Sequence, residues 1–198
     1  CDGIDIDLER GDGYSTHAAS TAMFQNIYNT VKNYDATKHM NICLPGMTSV
    51  NGSVGGENWC VYGDLDAYCD TASIMSYGMA WAGSAPGPVS PRSWLEGIYD
   101  YATRVMDPNK IFLGMPAYGW NWQIYDTPEN LGRTYRGTSN TYYAAKLWMT
   151  GGYNFTDDAP PQPFLPIVAY WDDYDKVPYA FPHVYDYMEG ADAVSREY

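Results

Sequence analysis

The chain opens Cys1-Asp2-Gly3-Ile4-Asp5-Ile6-Asp7-Leu8-Glu9, and Asp5, Asp7 and Glu9 alternate there with Ile6 and Leu8. In an extended segment, residues two apart point to the same side, roughly 6.6 Å apart at about 3.3 Å rise per residue. The pattern predicts a strand over residues 3–8 that carries Asp5, Asp7 and Glu9 in a file on one side. Ile6 and Leu8 are expected to pack the other. If the sheet is a barrel, that file faces the axis and climbs toward the C-terminal rim, where such enzymes keep their sites. Crowded carboxylates in partly dry surroundings cannot all ionise at once, because each charge disfavours the next. This points to acid catalysis, with Glu9, outermost and longest, as the general acid.

Other readings of the file compete. It can be an ordinary solvated strand face, although the flanking Ile and Leu and the β/α units that follow argue for burial. It can bind a divalent cation, although it lacks the central Gly and twelve-residue loop of an EF-hand. Aspartic protease dyads come from loops with small residues rather than from such an alternation.

The rest of the chain continues as strand and helix in turn. Helical spacing runs from about Thr16 to Tyr34, with Ala22, Met23, Ile27, Tyr28 and Val31 on one side. HMNICLP (39–45) reads as a second strand stopped by Pro45-Gly46, and SIMSYGM (73–79) as a third. Ser90-Pro91 starts a helix to about Met106, with Trp94, Leu95, Ile98, Tyr99 and Ala102 at helical spacing. KIFLGMPAYGW (110–120) reads as a fourth strand. Such alternation is the mark of β/α units on a parallel sheet, whose buried strands are near-continuous apolar runs. After Trp122 the rhythm changes. A short helix near Ser139 to Met149 is expected, then Pro-rich DDAPPQP, strand-like LPIVAYW and VPYAF, and a final helical stretch from HVYDYM. The expected domains are a partial barrel over 1–122, a small α+β insertion over 123–182, and a return to the barrel over 183–198.

Composition narrows the partners. The 198 residues carry 11 basic and 24 acidic side chains, a net charge of −13, which repels a phosphate backbone, so nucleic acid is excluded as a partner. No apolar run approaches the length of about 20 residues that spans a bilayer. The chain begins at Cys1 with no leader in view, so its start is expected not to be the native one. Twenty Tyr and seven Trp combine apolar faces with polar tips, as sugar-binding clefts do, and as Tyr-rich strands also do. Of the four cysteines, Cys60 and Cys69 flank a short loop that a disulfide can close, while Cys1 and Cys43 read as buried thiols in strand-like runs. The three histidines, His17, His39 and His183, read as loop or surface residues, and Asn51 and Asn154 fit the glycosylation sequon.

With Asp2-Gly3-Ile4-Asp5-Ile6-Asp7-Leu8-Glu9 in view, the chain resembles glycoside hydrolase family 18, the chitinase-like (β/α)8 barrels. That family's signature is DGxDxDxE at the end of the fourth barrel strand. Met75-Ser76-Tyr77 is similar to the Met-x-Tyr of the sixth strand, and Lys110 to Trp120 to the seventh-strand segment. The resemblance implies the α/β fold of a (β/α)8 TIM barrel, of which this chain holds about strands 4–7, with the insertion after strand 7. Four strands do not close a barrel, so the chain is expected to be an internal piece of a catalytic domain.

The family further implies substrate-assisted, retaining hydrolysis of a β-1,4 bond following N-acetylglucosamine. On that resemblance Glu9 protonates the glycosidic oxygen, and the sugar's N-acetyl oxygen attacks the anomeric carbon. Asp7 holds the acetamido N–H, Asp5 shares a proton with Asp7, and Tyr77 bonds the acetamido oxygen. No metal and no organic cofactor is needed. Met75, Trp81, Tyr118, Trp120 and Trp122 follow or end strands and are the expected sugar contacts, with loop packing as the alternative for the tryptophans. One position departs from the pattern: Gly78 stands where many chitinases have Asp or Asn. The stretch with Trp81, Gly83, Pro86, Gly87 and Ser90-Pro91 looks closest to the branch acting on spore cortex and wall fragments.

The leading expectation is a secreted or cell-surface glycosidase acting on peptidoglycan or chitin-like glycans. The alternative is a chitinase-like carbohydrate-binding protein with little or no turnover. A third possibility is a wall-degrading module with attached wall-binding modules.

Overall fold

A computed structural model of the chain describes residues 1–9, 17–50, 59–84, 87–123, 136–141, 167–172 and 177–182. Its contacts divide into two compact units, Cys1–Gly78 with Ser93–Met115, and Met79–Arg92 with Pro116–Tyr198.

The first unit is built on four parallel strands in sequential order: β1 (Gly3–Ile6), β2 (His39–Pro45), β3 (Thr71–Met75) and β4 (Ile111–Leu113). Asp5 lies opposite Asn41, Asn41 opposite Thr71, and Cys43 opposite Ser73, which in turn faces Phe112. Each crossover carries helix, as parallel pairing requires: α1 (His17–Tyr34), the single turn α2 (Tyr62–Leu65) with a 3-10 turn behind it, and α3 (Arg92–Val105).

The strands alternate. Met40, Ile42 and Leu44 of β2 and Ala72 and Ile74 of β3 are fully buried, with Ile6, Ile111 and Leu113 packed beside them. The helices cover this face with Phe24, Trp94, Ile98, Tyr101 and Ala102, all in one core cluster. Phe24 is fully buried and stacks on Trp59, ring centroids 5.8 Å apart. Burying one such side chain stabilises the fold by about 1.5–3 kcal/mol. At the strand starts, Asp70 ties three elements together. It accepts from Lys32 Nζ of α1 at 2.7 Å and from the Met40 amide of β2 at 2.8 Å, directly before β3. At the far end of β2, the Tyr62 hydroxyl donates to the Pro45 carbonyl and accepts from the Met47 amide.

Several expectations need correction. The buried face of α1 runs Ser20, Phe24, Ile27, Tyr28, at steps of four, three and one; Ala22 and Met23 are exposed. In α3 Tyr101 is buried and Tyr99 is exposed, because a step of seven from Trp94 returns to the core face and a step of five does not. β3 ends at Met75, and the stretch 110–120 is not one strand. It stops at Leu113, and β5 (Tyr118–Gln123) begins a separate antiparallel hairpin with β6 (Arg136–Thr141). Pro116 supplies no ladder amide, which is reason enough for the break. Ser139 stands in β6 rather than at the head of a helix.

A second hairpin in the second unit pairs β7 (Ile167–Asp172) with β8 (Val177–Pro182), where the two strand-like runs were expected. The rest of the helix expected to Met149, the Pro-rich stretch, the final helical stretch, His183, Asn51 and Asn154 lie outside the described residues. Cys60 and Cys69 are both buried thiols with no bond between them. Cys1 is exposed rather than buried. No described helix is long and apolar enough to cross a membrane.

Candidate active site

The other face of the four-stranded sheet holds the polar partners of the alternation. β1 presents Asp5 there, β2 presents Asn41 and Cys43, and β3 presents Thr71, Ser73 and, at its end, Met75. Asp7 and Glu9 continue the file of Asp5 beyond the last residue of β1, at the C-terminal edge of the sheet. All three carboxylates are exposed, not held in dry surroundings, and Leu8, expected to pack the opposite side, is itself 42% exposed. The reason is positional: regular pairing ends at Ile6, so Leu8 has no strand beside it to fix it against the helices.

The innermost acid is nonetheless held by two side chains of β2. Cys43, half-buried at the centre of this face, lies with its Sγ 3.6 Å from Asp5 Oδ1, to which the thiol donates. Burial, followed by the negative charges of Asp5 and Asp7, the bond to Asp5, and the charge of Glu9, pushes the Cys43 thiol up to about 11. All three carboxylates thus act on the thiol in the same direction. Asp5 Oδ1 also accepts from Asn41 Nδ2 at 2.6 Å. Asn41 Oδ1 in turn accepts from Thr71 Oγ1 at 2.8 Å and from Ser73 Oγ at 3.2 Å. His39 Nε2 stands 2.8 Å from the same Thr71 oxygen.

Tyr77 follows β3 at the same C-terminal edge of the sheet as Asp7 and Glu9. Its ring lies over Gly114, where an added Cβ would come within 2.7 Å of the ring and 3.1 Å of the Ile74 carbonyl. Glycine at 114 is what lets the ring lie down there. The approach is fixed by Ser76, fully buried, whose hydroxyl donates to the Gly114 carbonyl at 2.8 Å, and by the Gly114 amide, which donates to Ile74 O at 2.8 Å. Directly after Tyr77, Gly78 has φ +89°, and among the described residues nothing beyond its chain neighbours lies within 4 Å of where a Cβ would stand.

The remaining predicted contacts belong to the second unit. Trp81 is 56% exposed and sits in a turn in which its amide donates to Ser84 Oγ at 2.9 Å and its ring covers Gly83. Tyr118 is exposed and meets Trp120 edge to face, centroids 6.1 Å apart at 88°. The Trp120 indole N–H is buried and has no hydrogen-bond partner among the described residues. The side chain of Trp122 lies outside the described residues. Among the described residues no group of three His, Cys, Asp or Glu could hold a metal ion.

The residues absent from the expected site are Asn41, Cys43, Thr71, Ser73 and His39. Their signal was present in the sequence: His39-x-Asn41-x-Cys43 and Thr71-x-Ser73-x-Met75 alternate with buried aliphatics at the period of two that marked Asp5, Asp7 and Glu9.

Comparison with known proteins gives the family. The profile of the glycosyl hydrolases family 18 matches residues 1–189. The chain belongs to that family, and its fold is the TIM-barrel-like α/β fold of these proteins. It is similar to the uncharacterized glycosylase YvbX of Bacillus subtilis, with 23% identity over 127 residues, 63% of this chain and 35% of that protein. It is also similar to the cortical fragment-lytic enzyme of Bacillus anthracis, with 28% identity over 92 residues, 46% of this chain and 21% of that protein. The crystal structure of a chitinase from Chromobacterium violaceum superimposes with a TM-score of 0.67 at 20% identity, over 88% of this chain and 47% of the other. The chain thus spans less than half the length of each of these three.

Proposed function

We propose that this chain carries the acid residues of a glycoside hydrolase that cleaves β-1,4 bonds after N-acetylglucosamine in peptidoglycan or chitin-like glycans. The observation that supports it best is the file Asp5, Asp7, Glu9 at the C-terminal end of β1, in the order of the family signature, with Asp5 held by Asn41 and Cys43. On this reading β1 to β4 are the fourth to seventh strands of the barrel, within a catalytic part spanning 1–122. The proposed insertion is 123–182, and the proposed return to the barrel, 183–198, lies outside the described residues.

The chemistry is substrate-assisted and retaining, the family's exception to the scheme of two carboxylates. Glu9 protonates the glycosidic oxygen as the bond to the anomeric carbon breaks. The acetamido carbonyl oxygen of the same sugar attacks that carbon and forms an oxazolinium ion. Asp7 accepts from the acetamido N–H and steadies the positive charge, while Asp5 exchanges a proton with Asp7. The Tyr77 hydroxyl donates to the acetamido oxygen and aligns it for attack. Water then opens the ring, with Glu9 taking its proton, and the product keeps the β configuration. No step calls for a metal or cofactor. Met75, Trp81, Tyr118, Trp120 and Trp122 supply the sugar-contacting surfaces.

The likeness to a cortical fragment-lytic enzyme favours bacterial wall glycan over chitin, and action on such a glycan would suit a place at the cell surface or outside the cell. Wall-binding modules attached elsewhere in the protein would suit that role. A second reading, binding with little turnover, is favoured by Gly78, which carries no side chain where many chitinases have Asp or Asn.

The test is to incubate the full-length protein and its Glu9→Gln variant with muropeptides and with chitin oligosaccharides, following products and their anomeric form by proton NMR. Release of β-anomeric reducing ends by the first and not by the second is the expected result. Binding without cleavage, the same in both, selects the second reading.

A further inference from the structure

We propose that Asn41 is a positioning residue for Asp5, held in one orientation by a directed file of hydrogen bonds that runs through Thr71 to His39. Its catalytic consequence rests on the hydrolase reading above; the direction of the file does not.

Donor and acceptor counting fixes that direction. A carboxylate oxygen only accepts, so the Asn41 atom lying 2.6 Å from Asp5 Oδ1 must be the amide nitrogen. The flipped amide would set two acceptors against each other at that distance. Asn41 Oδ1 then faces β3, where it can only accept, so Thr71 and Ser73 both donate to it, at 2.8 Å and 3.2 Å. Thr71 has one hydroxyl proton and has spent it. Toward His39 Nε2, 2.8 Å away, its oxygen can therefore only accept. His39 must carry a proton on Nε2.

The file lies across β1, β2 and β3 in register, since Asp5 pairs with Asn41 and Asn41 with Thr71. It grips the innermost acid from the side. The charged and titratable groups around Asp5 are Asp7 and Glu9 on its own segment and the Cys43 thiol on β2, which donates to the same oxygen. Asp5 thus has one oxygen taken up by two donors from β2. Its other oxygen has, among the described residues, only the same thiol, more distantly at 3.9 Å, and is the one the mechanism would use to exchange a proton with Asp7. Remove the Asn41 amide and the carboxyl is free to turn about its own Cα–Cβ bond. Asn41 acts through the acid it touches, so the loss should fall on turnover.

The experiment uses the full-length protein with an Asn41→Leu variant of similar volume. Hydrolysis of chitin oligosaccharides should lose about tenfold in kcat, with KM moved less than about twofold, as expected for a misplaced reacting group. In an Asp5→Asn background the same change should cost little further, because both act through one group. A purely structural role would lower the melting temperature and leave kcat in place, which overturns the proposal. Nitrogen-15 NMR of the imidazoles supplies a readout free of activity. At pH 8 the neutral His39 ring should be protonated at Nε2 in the parent and mixed between its two nitrogens in Asn41→Leu. A parent His39 protonated at Nδ1 overturns the file. If the parent cleaves nothing, the hydrolase reading fails while the imidazole spectrum still decides the direction of the bonds.

Discussion

The two faces of the four-stranded sheet are made by the same residues taken alternately, and they could hardly differ more. One face, Met40, Ile42, Leu44, Ala72 and Ile74, is without solvent exposure and lies under α1 and α3. The other, Asp5, Asn41, Cys43, Thr71 and Ser73, is polar, half-buried to exposed, and joined by side-chain hydrogen bonds. A strand cannot shift by one residue without exchanging these faces. The apolar face therefore does more than stabilise: it sets the register that lines Asp5 up with Asn41 and Thr71.

That contrast can be broken from either side. The largest effect is expected from Phe24→Ala, which empties a fully buried site in the helical layer and should cost about 3–5 kcal/mol, read by denaturant unfolding. Glu9→Gln should do the reverse. Turnover should fall by about a thousandfold, the scale of a lost general acid, while the unfolding midpoint stays within error.

A smaller effect belongs to Asp70, at the start of β3. Burial works against its charge, but the Lys32 ammonium and the Met40 amide outweigh it and hold the carboxyl below its ordinary value of 3.8. A carboxyl depressed in the folded state stabilises above its unfolded value, and that contribution is lost as pH falls through the folded one. Asp70→Asn should therefore melt earlier than the parent at neutral pH, by on the order of 1 kcal/mol, and the two curves should converge below pH 3.8.

The smallest and sharpest test reads the polar face directly. With its thiol at about 11, Cys43 should alkylate far more slowly than exposed Cys1 at pH 8.5. Paired replacement of Asp7 and Glu9 by their amides should speed Cys43 labelling, followed by peptide mass spectrometry, and leave the Cys1 rate unchanged.

Much of this was legible in the sequence, and the reasons for the misses are physical. Eight letters, Asp2 to Glu9, carried the family. Alternation of apolar runs with helical periods carried the parallel sheet, because burial on one face leaves a periodic trace. What that trace does not carry is which of two adjacent apolar residues wins the core. In α1 the reading chose Met23 where Phe24 goes in, since a single rotation of about 100° separates them. The break between Leu113 and Tyr118 was hidden by an unbroken apolar run, with Pro116 its one sign. The polar partners of Asp5 were passed over for a different reason. Asn, Thr and Ser in strands look like ordinary filler until register sets them side by side.

Gly78 has a consequence for any attempt to remodel this chain. Its backbone angle lies in the region that side chains of L-residues occupy only at a cost of about 1 kcal/mol or more. Replacing it with aspartate is therefore not a one-letter conversion, although nothing among the described residues lies within 4 Å of the new Cβ. Either the variant bears that cost or the peptide after Tyr77 swings to a negative φ, so the substitution would reshape the bend as well as add a charge.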